Sequence, residues 1–182
     1  IHCADIHLDS PMQTHMTAQQ ASVRNTEMLQ SFVRLTEFAQ ERAVRAVLIA
    51  GDLFDGARVR ARTVDALLAA IRRTPEVDYL YLPGNHDEAA NAFCDCALPE
   101  NLKVFGKKWT TYRYDGIAIS GVQIGADAAL YETLPHTDGA VNLVMLHGGI
   151  GTACGEDMIN LNLLKNRGID YLALGHLHTY QT

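Results

Sequence analysis

Seven side chains able to ligate a metal stand in five short motifs of this 182-residue chain. Asp5 and His7 lie in Asp5-Ile6-His7, and Asp52 lies in Gly51-Asp52-Leu53-Phe54-Asp55. Asn85 lies in Gly84-Asn85-His86-Asp87, His147 precedes Gly148-Gly149, and His176 and His178 lie in Gly175-His176-Leu177-His178. A mixed set of carboxylate, amide and imidazole donors of this size is too large for one tetrahedral zinc. It suits two divalent transition-metal ions that share a bridging carboxylate and leave room for water. Only Asp5 and Asp52 carry negative charge, so two bound ions would leave the site electropositive and attractive to an anion, above all phosphate.

Each motif follows a short apolar run with the look of a strand: Ile1–Ala4, Ala46–Ala50, Tyr79–Leu82, Leu143–Leu146 and Tyr171–Leu174. Such continuous, branched or aromatic runs belong to strands covered on both faces. The motifs thus fall at strand C-termini, where open α/β sheets place their sites. Residues two apart in extended chain point the same way, so Asp5 with His7, and His176 with His178, are expected to converge. Taken singly, a strand-end aspartate is usually a cap and a Gly-His pair a turn. Five strand ends that each carry a potential donor, with five of the eight histidines among them, are a different matter. His2, His15 and His136 lack such company and read as structural or exposed.

Helical periodicity covers roughly 22–42, where Met28, Leu29, Phe32, Val33, Leu35, Phe38 and Ala39 share a face. It recurs over about 62–73 and about 159–167, the last ending at Gly168. Val104–Phe105, Trp109–Tyr114 and Ile117–Val122 read as an antiparallel meander with a tight Asp115-Gly116 turn. The pattern predicts an α/β fold of two sheets face to face with helices outside.

Composition fits one globular domain spanning 1–182: 48% apolar and 20% charged residues, with a net charge of −6. A protein gripping DNA through a broad basic face has the opposite balance, so any nucleic-acid role must rest on a local site. No apolar run approaches the roughly 18–20 residues of a membrane span. Cys3, Cys94, Cys96 and Cys154 fit neither a disulfide framework nor a CxxC site, which points to reduced thiols in the cytoplasm.

The five motifs, D-x-H, G-D-x-x-D, G-N-H-D, H and G-H-x-H, resemble the signature of the calcineurin-like metallophosphoesterase superfamily. His2-Cys3-Ala4-Asp5-Ile6-His7-Leu8-Asp9-Ser10-Pro11 and the stretch 51–63 are closest to its SbcD/YhaO-like DNA repair exonuclease branch. The resemblance implies a four-layer α/β/β/α sandwich of two mixed sheets flanked by helices, with further strands and a capping region downstream of Thr182. It implies that Asp5, His7 and His178 hold one ion, that Asn85, His147 and His176 hold the other, and that Asp52 bridges. His86 would face the substrate phosphate as a catalytic residue rather than a ligand. Asp55, an aspartate where some relatives have histidine, is expected to orient His86 and hold it protonated. Asp87 reads as a turn residue.

The expected activity is therefore dinuclear-metal-dependent phosphodiester hydrolysis, foremost by a DNA repair nuclease, with manganese favoured and iron or zinc also suited to the donors. The alternatives are a small-molecule phosphatase or cyclic-nucleotide phosphodiesterase and, remotely, a non-catalytic scaffold. Arg58 and Arg60 could guide a nucleic-acid backbone, or simply form a solvated basic helix start. DNA binding by this chain alone should be weak, and similarity suggests an SbcC-like coiled-coil ATPase as partner.

Overall fold

The computed structural model describes residues 1–12, 16–56, 59–87, 93, 96–124, 129–152 and 157–178. Its first sheet has the order β1-β2-β3-β4, from His2–Cys3, Ala46–Ala50, Asp78–Leu82 and Leu102–Val104, and is parallel throughout. Helices α1 (Ala18–Glu41) and α2 (Ala61–Arg72) lie in the chain on either side of β2. The second sheet has the order β10-β7-β6-β5. It comprises β5 (Thr110–Tyr114), β6 (Ile117–Gly121), β7 (Val141–His147) and β10 (Tyr171–Gly175) and is mixed, with only the β5–β6 pair antiparallel. The short helices α3 (Ala129–Glu132) and α4 (Leu161–Leu164) accompany it, as does a small parallel pair, β8 (Gly149–Gly151) and β9 (Met158–Asn160).

Strand alternation sorts side chains into three cores. Val47 and Ile49 of β2 and Tyr79 and Tyr81 of β3 face outward to Phe32 and Ala39 of α1 and to Leu67, Leu68 and Ile71 of α2. Their neighbours Leu48, Ala50, Leu80 and Leu82 face inward and meet Ile119, Met145 and Ala173 of the second sheet. Val144 and Leu146, on the far side of β7, pack with Tyr131, Ile159 and Leu164. Helices, sheet, sheet and helices therefore make four layers. Since β2 and β7 are covered on both faces, they read as continuous apolar runs.

The expected elements differ from the observed ones in instructive places. Helix α1 begins at Ala18, four residues before the apolar periodicity suggests, because Thr17 and Gln20 form a reciprocal capping box. Val104 does not join the meander. It ends β4, which pairs in parallel with β3 through Tyr79↔Leu102 and Tyr81↔Val104. The meander itself reduces to the β5–β6 hairpin, since β6 runs parallel to β7. The helix expected over about 159–167 is only Leu161–Leu164, because Met158–Asn160 pairs with β8 instead. Leu143–Leu146 and Tyr171–Leu174 lie in the second sheet, so the motif-bearing strands divide between two sheets.

The turn leading from α2 into β3 is held from a distance in sequence. The buried amide of Asn101 donates to the carbonyls of Ile71, Thr74 and Val77, at 3.0, 3.1 and 3.0 Å. Removing that donor takes a hydrogen bond from each of three carbonyls, of which those of Ile71 and Thr74 keep the amides of Thr74 and Val77. Asn101→Ala is therefore expected to cost about 2–3 kcal/mol, read as a lower urea midpoint.

Candidate metal centre

Where the parallel strands end, the chain is laced together by backbone bonds that continue the sheet beyond its strands. The Asp5 amide donates to the Gly51 carbonyl (3.0 Å), His7 to Asp52 (2.9 Å) and Leu8 to Leu53 (2.9 Å). In return, the Asp55 amide donates to Leu8 (3.1 Å) and Gly56 to His86 (3.2 Å). Asp5, His7 and Asp52 adopt left-handed backbone with φ of 52°, 48° and 50°, and His176 has φ of 105°. Four non-glycine residues in this costly region at one rim mark a place where side-chain direction outweighs backbone comfort. Here the expectation from extended chain is corrected: Asp5 and His7 share a cluster because the backbone turns at each of them, not because a strand alternates.

Two donor clusters result. In one, a ligand atom from each of Asp5, His7 and His178 lies within 4.8 Å of the others, and His7 Nε2 stands 3.2 Å from His178 Nε2. In the other, Asp52, His147 and His176 meet the same criterion. Asn85 Oδ1 joins them, 3.0 Å from His147 Nε2 and 3.2 Å from His176 Nδ1. Asp52 stands between the clusters, its Oδ2 3.7 Å from His7 Nε2 and 3.3 Å from His147 Nε2. Donor atoms at about 2.1 Å from one shared ion stand about 3.0–3.4 Å apart, so these separations and this donor chemistry fit a divalent metal pair. His176 and His178, two residues apart, thus serve different clusters.

Hydrogen bonds from the surrounding groups fix the orientation of these side chains. His147 Nδ1 donates to the Ala50 carbonyl at 3.0 Å, which turns Nε2 toward Asp52 and Asn85. Asp5 accepts from the His176 amide at 2.9 and 3.1 Å, and Asp52 Oδ1 accepts from the His86 amide at 2.9 Å. Burial pushes the Asp52 carboxyl up, but hydrogen bonds from His147 and the His86 amide, with the charge of His147 and His7, hold it below the usual value. Burial likewise pulls the His147 imidazole down. Asp52 and the Ala50 carbonyl outweigh it and leave the ring above its ordinary value.

Space at the rim is as constrained as charge. A Cβ on Gly84 would lie 2.2 Å from Asp52 Oδ1 and 2.7 Å from His147 Nε2, and one on Gly51 would lie 1.9 Å from His147 Nδ1. These are glycines because Asp52 and His147 occupy the room of a methyl group.

His86 stands beside the ligands rather than among the two clusters. Its Nδ1 is 3.2 Å from Asp55 Oδ1, its side chain is 50% exposed, and its ring meets His7 edge-on at 5.2 Å. Asp55 also lies 3.8 Å from His7 Nδ1, and the atoms of His7, Asp55 and His86 are close enough to form a third potential metal group. Arg60 does not reach toward this site. Its guanidinium and amide are held by the buried carboxylate of Asp9, with Nε–Oδ1 and N–Oδ2 both 2.8 Å. Thr63 Oγ1 donates to the same carboxylate at 3.0 Å. Arg58, like Cys94 and Cys154, lies outside the described residues.

Asp9 and Lys107 are further contributors to the site that the motifs do not indicate, and Asp87 contributes more than its motif suggests. Asp87 is more than a turn residue: its carboxylate accepts from the amides of Leu53 (3.1 Å), Phe54 (2.7 Å) and Gly84 (2.9 Å). It thereby staples the second motif to the third, even though burial raises its pKa against those bonds. Asp9, four residues beyond Asp5, anchors the first motif to the start of α2 through Arg60. Lys107 lines, with Gln123, a cleft of about 670 Å³ that opens onto Asn85 and His147. A carboxylate at a fixed offset from a ligand is a usable signal for Asp87 and Asp9. Nothing local in the sequence indicates Lys107.

Comparison with known proteins agrees with this architecture. The calcineurin-like phosphoesterase family model matches residues 1–180. The uncharacterized metallophosphoesterase YhaO of Bacillus subtilis (strain 168) is 28% identical over 100% of this chain and 48% of its own length. The DNA double-strand break repair protein Mre11 of Methanopyrus kandleri is 25% identical over 97% of this chain and 44% of its own. The chain thus spans about half the length of these curated relatives. In fold it is similar to the crystal structure of TT1561 of Thermus thermophilus, with a TM-score of 0.55 and 14% identity. That alignment covers 85% of this chain and 79% of that one.

Gly84→Ala is expected to displace Asp52 or His147 and to weaken Mn²⁺ binding about 10–100-fold by calorimetry, as loss of an orienting group does in other metal sites. The far-UV circular dichroism should remain that of the parent. Unchanged affinity would show that these two side chains are not ligands.

Proposed function

The chain belongs to the calcineurin-like phosphoesterase family, and from that premise we propose that it is a two-metal phosphodiester hydrolase acting on DNA. The carrying observation is Asp52, a buried carboxylate within 3.7 Å of His7 on one side and 3.3 Å of His147 on the other. Asp5, His7 and His178 would hold one divalent ion and Asn85, His147 and His176 the other, with Asp52 shared. Bound there, the pair supplies Lewis-acid charge and a nucleophile at neutral pH, with manganese preferred among metals that suit oxygen and nitrogen donors.

The chain's own groups do the rest. His86, half exposed beside the clusters, faces the phosphate and stabilises charge on its non-bridging oxygens, or donates a proton from its imidazole to the leaving oxygen. Asp55 accepts from His86 Nδ1 and so keeps Nε2 turned to the substrate. Asp87 and Asp9 keep the motifs in register. Because Asp9 occupies Arg60, Arg60 guides substrate only if that pair opens, and Lys107 is the better placed cation for a neighbouring backbone phosphate.

The preference for DNA rests on likeness to a protein named for DNA double-strand break repair and on the motif wording. With a net charge of −6, the chain alone would bind DNA weakly. An SbcC-like coiled-coil ATPase, which the resemblance implies, would supply the remaining grip in the cytoplasm. Among the described residues no helix is long and apolar enough to cross a membrane. Cys3 and Cys96 are free thiols, and burial pushes the Cys3 thiol up to about 12, where it is unreactive.

The test compares Mn²⁺-loaded protein on single-stranded DNA, duplex ends and an aryl phosphate monoester. Faster hydrolysis of the monoester would favour a small-molecule phosphatase instead. His86→Ala is expected to lower turnover about 10²–10⁴-fold while bound metal, counted by elemental analysis, stays at the wild-type ratio. Loss of metal in that variant would place His86 among the ligands, with His7 and Asp55.

A further inference from the structure

An apolar chamber of about 560 Å³ adjoins the metal centre along α1. Ile6, Met12 and Met28 line both the chamber and the shallow pocket that contains Asp5, His7, Asp52, His86 and His178, so the two spaces share one wall. Beyond that wall the chamber continues along Met16, Phe32 and Leu35. Its charged lining residues, Arg24 and Glu27, pair with each other at 2.7 Å, so the rim offers no net charge to a phosphate. Resting on the function proposed above, we infer that this chamber seats the nucleobase of the nucleotide whose phosphate lies at the metal centre.

Three features favour that occupant. The seat begins at the metal centre, so whatever hangs from a phosphate held there on the α1 side meets Met28 and Met12 first. Thioether sulfur on an unbranched chain makes favourable contact with a flat π surface and adapts to its shape. The charged groups at the rim are already satisfied, so the chamber selects a neutral, flat group by stacking and burial rather than by reading base edges. Recognition should therefore tolerate any base sequence while demanding that a base be present. A volume of about 560 Å³ lies within the range of small-molecule sites. A phosphate monoester on a small polar alcohol leaves it unfilled, which distinguishes nucleotide substrates from the smallest phosphatase substrates.

The test is a cycle between protein and substrate. Mn²⁺-loaded wild type and Met28→Ala are compared on a thymidine dinucleoside monophosphate and on two analogues, one abasic on the 5′ side and one on the 3′ side. For wild type, removing one of the two bases should lower kcat/KM about tenfold, through KM. In Met28→Ala the same removal should cost less than threefold. A 2-aminopurine base at the sensitive position of a non-hydrolysable analogue reports its environment without turnover. Its emission should change on binding to wild type and change less with Met28→Ala. Equal base dependence in both proteins would overturn the inference while leaving the hydrolase reading intact. So would a Met28→Ala chain that changes oligomeric state by light scattering without changing base dependence, since the chamber would then be a face for a second copy. A wild type that takes up Mn²⁺ yet neither binds nor cleaves any of the three substrates would overturn both readings.

Discussion

Beyond the apolar core between them, the two sheets are tied at the site by a hydrogen bond that orients its most buried imidazole. His147, the last residue of β7, donates from Nδ1 to the carbonyl of Ala50, the last residue of β2. The bond joins the C-terminal rims of the first and second sheets and, in the same stroke, fixes which imidazole nitrogen faces Asp52 and Asn85. Gly175 makes the junction tight: a Cβ there would stand 1.9 Å from the Ala50 carbonyl oxygen. Together with the His176 amide, which donates to Asp5 across the same seam, this contact holds Asp52 within reach of both clusters.

Around that junction the protein uses carboxylates in two ways. Asp5 and Asp52 present oxygen to the clusters while accepting backbone amides from His176 and His86. Asp87 and Asp9 do not face the clusters; they tie one loop to another, Asp87 through three amides and Asp9 through Arg60 and Thr63. An acidic composition is thus compatible with an anion-seeking site, because part of the negative charge is used in internal scaffolding.

Much of this organisation is legible in the residues. Strand-end motifs are visible because each follows a run such as Val47-Leu48-Ile49 or Leu143–Leu146, whose burial on both faces leaves no polar alternation. The seven candidate side chains lie at one rim, though Asp5 and His7 gather through backbone turns and His176 and His178 join different clusters. The backbone device that gathers Asp5 and His7, left-handed φ rather than strand alternation, is invisible because neither residue type advertises it. Strand β4 was hidden for another reason: Val104 lies beside a hairpin in sequence, whereas its partner Tyr81 is far upstream. Arg60 looks available until the fold places Asp9 beside it. The Met12 and Met28 chamber depends on a loop and a helix meeting in space, which periodicity in α1 alone reports only as core.

The lacing from Asp5 to Gly51, His7 to Asp52 and Leu8 to Leu53 has a consequence for how the centre comes into being. These bonds extend the β1–β2 ladder, so the first two motifs cannot adopt their geometry before the two strands have paired. His147 and His176 in turn require the second sheet to have docked. A partly folded chain therefore presents scattered imidazoles and carboxylates with ordinary weak affinity, and chelation strength emerges only with the finished sandwich. An ion held by both clusters would bridge the seam between the sheets and so favour the assembled sandwich over any form in which they are apart.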